Sequence, residues 1–151
     1  MRATLMLADH AVVADGKLYI NGGGWSVTGP DPVPSAIAVK VDVPWDQTNR
    51  TMSLRLLLIG QDGDPVLLPG PEGPTTVQIE GEAEVGRPAG LVPGADVDFP
   101  LAFQIGPLPL TPGQRYQWVL EIDGETRDDW RLTFTTRAAE PEGPATYVVD
   151  P

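Results

Sequence analysis

Glu80, Glu82 and Glu84 alternate with Gly81 and Ala83. In an extended chain this spacing puts three carboxylates on one face of one strand, neighbours about 6.6 Å apart. Such a row can hold a cation or meet a basic partner. It also fits an inverting glycoside hydrolase, whose two carboxyl groups lie about 6.5–9.5 Å apart. Nothing marks one carboxyl as buried, however, and Gly81 offers no wall for a sugar. The row reads first as a solvated face that keeps its strand from pairing edge to edge with another chain.

Two tryptophans stand beside polar or flexible sequence. Trp45 lies between Pro44 and Asp46-Gln47-Thr48-Asn49. An aromatic held there can stack on a sugar, anchor a partner, or cap the end of the fold. Trp25 follows Gly22-Gly23-Gly24. A phosphate loop needs a helix N-terminus or a Lys after its glycines, and neither is present. The triplet reads as a bulge or tight corner whose missing side chains let the Trp25 indole approach the backbone. Trp118 and Trp130 fall on inward rows and belong to the core.

Other constellations carry less. His10, between Asp9 and Asp15, is the only imidazole, with no nucleophile motif beside it. Asp123, Glu125, Asp128 and Asp129 flank a turn but lack the order of a calcium loop. There is no cysteine, which excludes disulfides, thiol catalysis and thiolate-bound metals. No catalytic residue, metal or cofactor is expected, and the chain reads as a non-enzyme.

The elements that must position these residues are strands. The 151 residues suit one domain, and 17 Gly with 17 Pro scatter turns among short apolar runs. Leu5 and Leu7 lead a strand ending near Asp9-His10. Asp15-Gly16 joins Val12-Val13-Ala14 to Lys17-Leu18-Tyr19-Ile20 as a hairpin. Trp25 to Thr28 continues the sheet. Ile37, Val39, Val41 and Val43 alternate with Ala38, Lys40 and Asp42. Met52, Leu54, Leu56 and Leu58 form an inward row. Val66-Leu67-Leu68 precedes a loop from Pro69 to Pro74. Val77, Ile79, Ala83 and Val85 line the inner face of the acidic strand. Val97 to Ile105 alternates too, and Pro100 marks it as an edge or a bulge. Tyr116, Trp118, Leu120 and Ile122 run in, and Trp130, Leu132 and Phe134 return after Asp123-Gly124. Eight or nine strands result and no helix, the pattern of a sandwich or barrel.

Formal net charge is −11. That surface repels phosphate backbones and anionic membranes, so neither nucleic acid nor membrane is expected as a partner. No apolar stretch is long enough for a signal core or a membrane span, which makes the cytoplasm the expected location. Lys17 and Lys40 are the only lysines among mostly Arg bases, a composition associated with GC-rich bacterial genomes.

Leu110-Thr111-Pro112-Gly113-Gln114-Arg115-Tyr116 leads straight into an alternating strand. This run resembles the tyrosine corner of fibronectin type III and immunoglobulin-like domains, whose phenol bonds to backbone upstream. The resemblance implies a Greek-key β-sandwich, with Pro112, Gly113 and Tyr116 in structural roles, and carries no function. A second resemblance rests on Ala8-Asp9-His10, Asp15-Gly16-Lys17-Leu18-Tyr19-Ile20 and Gly22-Gly23-Gly24-Trp25. These residues look like the opening of an uncharacterised family of small bacterial proteins, a domain of unknown function of actinobacterial type. It has no catalytic residues to transfer, and it implies a stand-alone protein beginning at Met1.

The expected organisation is a β-sandwich over residues 1–137 and a Pro/Glu-rich C-terminal tail over 138–151. Tyr147, Val148 and Val149 form a β-prone patch in that tail, able to add to a sheet edge in cis or in trans. The expected function is a binding or assembly module for a protein partner or for itself, acting through a sheet edge or the tail. The alternative is a carbohydrate-binding or carbohydrate-active protein using Trp25, Trp45 and the carboxylates.

Overall fold

The structure, a computed structural model, describes residues 1–140 and Val148. The fold is all-β. Eleven strands run β1 (Arg2–Ala14), β2 (Lys17–Gly23), β3 (Val27–Thr28), β4 (Ser35–Val43), β5 (Thr51–Gly60), β6 (Leu67–Gly70), β7 (Gly73–Thr76), β8 (Gln78–Glu84), β9 (Val97–Ile105), β10 (Arg115–Ile122) and β11 (Arg131–Thr136). One sheet has the order β2-β1-β4-β9, a second β3-β11-β10-β5-β8, and β6 pairs with β7 alone. All pairs are antiparallel except β11 with β3.

Alternation explains the core. Leu7, Ile37, Val39, Val41 and Val43 from the four-stranded sheet share one buried cluster with Met52, Leu56, Leu58, Trp118, Leu120 and Phe134 from the five-stranded sheet. Along each strand these residues lie an even number of positions apart, so one face of each sheet enters the same core.

The pattern needs correction in three places. The two apolar runs around Asp9-His10 form one 13-residue strand, β1, rather than two. The segment read as a loop from Pro69 to Pro74 is a hairpin, with Pro69 opposite Pro74 and Gly70 opposite Gly73. A two-stranded ribbon standing apart from the main sheets tolerates proline, because most of its amides face no neighbour. Among the described residues the count is eleven strands, against the eight or nine expected.

The largest departure concerns the outer face of β4. Ala38, Lys40 and Asp42 alternate with the core row. On that face Ala36 and Ala38 are fully buried with Ala11, against Leu18 and Ala102. β1 pairs with β4 only as far as Ala8 opposite Ala36. Beyond that point the β1–β2 hairpin folds over the outside of β4 and β9, and Gln104 of β9 donates its side-chain amide to the Ala11 carbonyl. Alanine at each contact permits this curl, since larger side chains would hold the two layers apart.

The hairpin turn itself has Asp15 at φ 51° and Gly16 at φ 70°, the pair of positive angles of a type I′ turn. The glycine triplet serves the same hairpin and not the Trp25 ring. A side chain at Gly22 would strike the Asp9 carboxylate, and one at Gly23 would strike Met6 and Ile20.

Candidate functional site

β8 and β9 are the outermost strands of their sheets on one side of the core. That side is less well closed than the rest. Phe99, Leu101 and Phe103 of β9 point inward but stay half-buried, whereas their partners Val41, Val39 and Ile37 on β4 are fully covered. On β8 the inward positions are Ile79, Gly81 and Ala83, opposite Leu56, Leu54 and Met52. Exposure along the β5 row is 0% at Met52, 9% at Leu54, 1% at Leu56 and 0% at Leu58. The one residue not sealed is Leu54, and it faces Gly81. The gap is an apolar slot of about 170 Å³ between the strands, walled by Leu54, Leu56, Ile79, Ala83, Leu101 and Phe103.

Glu80, Glu82 and Glu84 project outward from the same strand and are exposed. They lie opposite Arg55, Ser53 and Thr51. Arg55 is already committed to Glu121 at 2.7 Å, a hydrogen bond that raises the guanidinium above the ordinary arginine range, with a smaller contribution from Glu80. The outer face is therefore a shallow polar groove with more carboxylate than cation. Among the described residues no three His, Cys, Asp or Glu side chains come together as a metal-binding group. Among the described residues no strand other than β5 pairs with β8.

The predicted aromatic sites separate. Trp45 opens a single 3-10 turn, Trp45–Gln47, after β4. The Arg87 guanidinium lies 3.7 Å from the centre of its ring. Arg87 also donates to the Trp45 carbonyl at 2.7 Å and to the Thr48 hydroxyl at 2.8 Å. One face of the indole is thus covered, and the cluster ties the turn to the segment after β8. Trp25 is half-buried, edge-on to Phe134 at 6.3 Å. The indole nitrogens of Trp25 and Trp130 are both buried with no acceptor among the described residues.

Tyr116 is buried and stacks on Phe134 at 5.7 Å. Its hydroxyl accepts the Thr111 amide at 2.9 Å, five residues upstream, where the chain crosses from β9 in one sheet to β10 in the other. Gly113 sits at φ 77° in that crossover and its amide donates to the Thr136 carbonyl. Thr136 donates its own hydroxyl to the Thr111 carbonyl at 2.8 Å. Of the tail patch, Val148 is 87% exposed, and Tyr147 and Val149 lie outside the described residues.

Two carboxylates are held for structure. Asp42 is 7% exposed and bonds Lys40 at 2.9 Å and Arg2 at 3.1 Å. The Lys40 bond, helped by Arg2 and opposed by burial, holds Asp42 below the usual carboxylate range and raises Lys40 in turn. Lys40 also reaches Asp98, which lies directly opposite Asp42. Asp123 is lowered by Arg50 at 2.8 Å and by the Ser53 amide at 3.0 Å.

A second surface was not singled out from the sequence. β2 is the opposite edge of the four-stranded sheet, and among the described residues only β1 pairs with it. Tyr19 (50% exposed) lies open beside Val12 on one face, Ile20 is partly exposed on the other face near Met6, and Lys17 is the only charge on β2. The signal in the sequence was four apolar residues packed around one two-residue turn, more than one buried face can use.

No helix among the described residues is long and apolar enough to cross a membrane. Comparison with curated proteins and with solved structures finds no match to either. A family model does match, over residues 3–135, and it takes in every strand from β1 to most of β11. The chain belongs to that family, a family of unknown function designated DUF6941.

Proposed function

We propose that this chain is a non-enzymatic assembly module of the bacterial cytoplasm that self-associates by pairing β2 with β2 of a second copy. The finer fold we propose for it is a Greek-key sandwich related to immunoglobulin and fibronectin type III domains, on the strength of the Tyr116 to Thr111 bond at the crossover. One observation carries the functional reading: the open β2 edge on a chain of net charge −11, with Tyr19 beside Val12 exposed on one face of the hairpin and Ile20 and Val13 partly exposed on the other. An open, apolar edge strand is a template for another strand, and a soluble chain ordinarily guards it. Two copies of β2 run antiparallel about a two-fold axis use the same edge twice and remove both open edges at once. Like-charged chains repel over most of their surface, and β2 itself carries no carboxylate, only Lys17.

A carbohydrate platform has less support, because Arg87 occupies one face of Trp45. The assembly reading is tested by light scattering from micromolar to several hundred micromolar chain. A dimer is expected, and Ile20→Lys with Tyr19→Glu should return it to monomer. A wild-type chain that stays monomeric across this range overturns the reading. Loss of the dimer on deleting residues 138–151, with the β2 variant still dimeric, would transfer assembly to the tail.

A further inference from the structure

We propose that the slot beside Gly81 is a docking site for an extended segment of a different protein, one that alternates apolar residues with Lys or Arg. The segment adds as a strand to the free edge of β8. One apolar side chain enters the slot, and its basic neighbours lie beside Glu80 and Glu82. This site is on the other sheet from β2 and does not depend on self-association.

The case starts from what Gly81 is not needed for. Glycine in the middle of a strand weakens it and is kept where the backbone needs a positive φ or where something approaches closely. Gly81 is absent from the positive-φ glycines, and a Cβ built on it meets nothing within 4 Å. Neither backbone nor packing calls for glycine, so what its lack of a side chain provides is space. That space is the slot, and it leaves Leu54 as the unsealed member of its row. Its volume of about 170 Å³ is close to the roughly 150 Å³ of an apolar cavity that admits benzene. It therefore takes one aliphatic or aromatic side chain.

The geometry of a strand supplies the rest. A segment paired to β8 alternates its side chains between the two faces, in phase with β8 itself. A residue beside Gly81 points into the slot, between Leu101 and Phe103 of β9 and Leu54 and Leu56 of β5. Residues on either side of it point outward beside the exposed Glu80 and Glu82, where cations pair favourably across strands. A second copy of this chain does not fit, because β8 against β8 sets one acidic row on another. Arg55 makes its ion pair with Glu121, so Glu80 and Glu82 have no ion-pair partner among the described residues.

The probe is a fluorescent nine-residue synthetic peptide alternating Lys with Val and Leu, followed by anisotropy at several salt concentrations. Saturable binding is expected, weakening with salt. The counterpart peptide with Glu for Lys should not bind. Gly81→Val fills the slot without changing charge and should weaken binding about tenfold or more, the effect of denying burial to one apolar side chain. Its urea midpoint should be unchanged or raised, and its mass by light scattering unchanged. E80Q with E82Q should weaken binding several-fold and flatten the salt dependence. Equal affinity of the Gly81→Val and wild-type chains would show attraction by net charge alone and overturn the proposal, as would equal binding of the acidic peptide.

Discussion

β2 and β8 are both seven-residue strands that, among the described residues, are each hydrogen-bonded to a single neighbour, and their outward chemistry is opposite. β2 shows Tyr19 and Ile20 with one lysine. β8 shows Glu80, Glu82 and Glu84. The contrast teaches why only one of them can be left apolar. A two-fold pairing through one edge closes on itself as a dimer. A second self-pairing edge on the same chain would join dimer to dimer without end. Under the proposed self-association, guarding β8 against its own kind while β2 stays open would stop assembly at two.

The largest expected effect comes from removing that guard. E80T with E82T and E84T leaves a β-prone edge over an apolar slot. Light scattering should then show mass growing with concentration beyond the dimer, with thioflavin-negative filaments or precipitate at high concentration. Adding Ile20→Lys should cut the growth back to a closed dimer through β8. If the triple variant keeps the wild-type mass at all concentrations, the acidic row is not what silences this edge.

The two edges also answer differently to the same substitution. Gly16 turns the hairpin that carries β2 at φ 70°, an angle costly for any residue with a Cβ. Gly16→Val should cost about 1–2 kcal/mol by urea denaturation and weaken the dimer with it. Gly81→Val has no such strain and gains β-propensity and apolar burial, so it should add about 0.5–1 kcal/mol. Equal signs at the two sites would mean that Gly81 is required by its backbone after all.

Acid should separate the sheets. The folded pKa of Asp42 is lowered, so the unfolded chain takes up its proton first as pH falls. The stabilisation it gives is complete above the ordinary aspartate range and is lost as pH drops through that range toward the folded value. Asp42→Asn should therefore lower stability at neutral pH and flatten the acid limb of a urea-midpoint profile. It loosens the sheet that bears β2, because Lys40 is left with Asp98 alone. Asp123→Asn should act with the same sign on the sheet that bears β8, through Arg50 and the Ser53 amide. It should act more weakly, since Asp123 is exposed while Asp42 is buried. An unchanged acid limb in Asp42→Asn would remove this carboxylate from the account.

Much of the frame was legible because period-two alternation and Asp-Gly turns are local. The row Met52, Leu54, Leu56 and Leu58 and the Asp15-Gly16 hairpin follow from neighbours along the chain. The curl of β1 over β4 does not. It depends on Ala11, Ala36, Ala38 and Ala102, far apart in sequence, meeting with Leu18 as a second small core, and a lone alanine opposite a valine row reads as either face. The acidic face of β8 was visible as a charge pattern. The slot behind it was visible only as a glycine omitted from the row Ile79 and Ala83, and its meaning needed Leu101 and Phe103 of another sheet to stand across from it. A turn signal is written in two residues, whereas a cavity is written in residues from three strands.

The smallest expected effect lies in the interior that both sheets share. Trp130 is 3% exposed, and its indole N–H has no acceptor among the described residues, with the Arg127 guanidinium 4.9 Å from the ring centre. Removing a large core aromatic outright usually costs about 3–5 kcal/mol. Trp130→Phe keeps an aromatic ring and discards an unpaired buried donor, whose presence costs about 1–3 kcal/mol. The lost area and the weakened cation contact work in the other direction. The sum should fall within about 1 kcal/mol of wild type. Tyr116→Phe gives the matched control, since its hydroxyl is bonded: the Thr111 amide loses its acceptor and stability should fall by about 1 kcal/mol with no gain to offset it. A Trp130→Phe loss clearly larger than the Tyr116→Phe loss would mean that the indole N–H has a partner in solution.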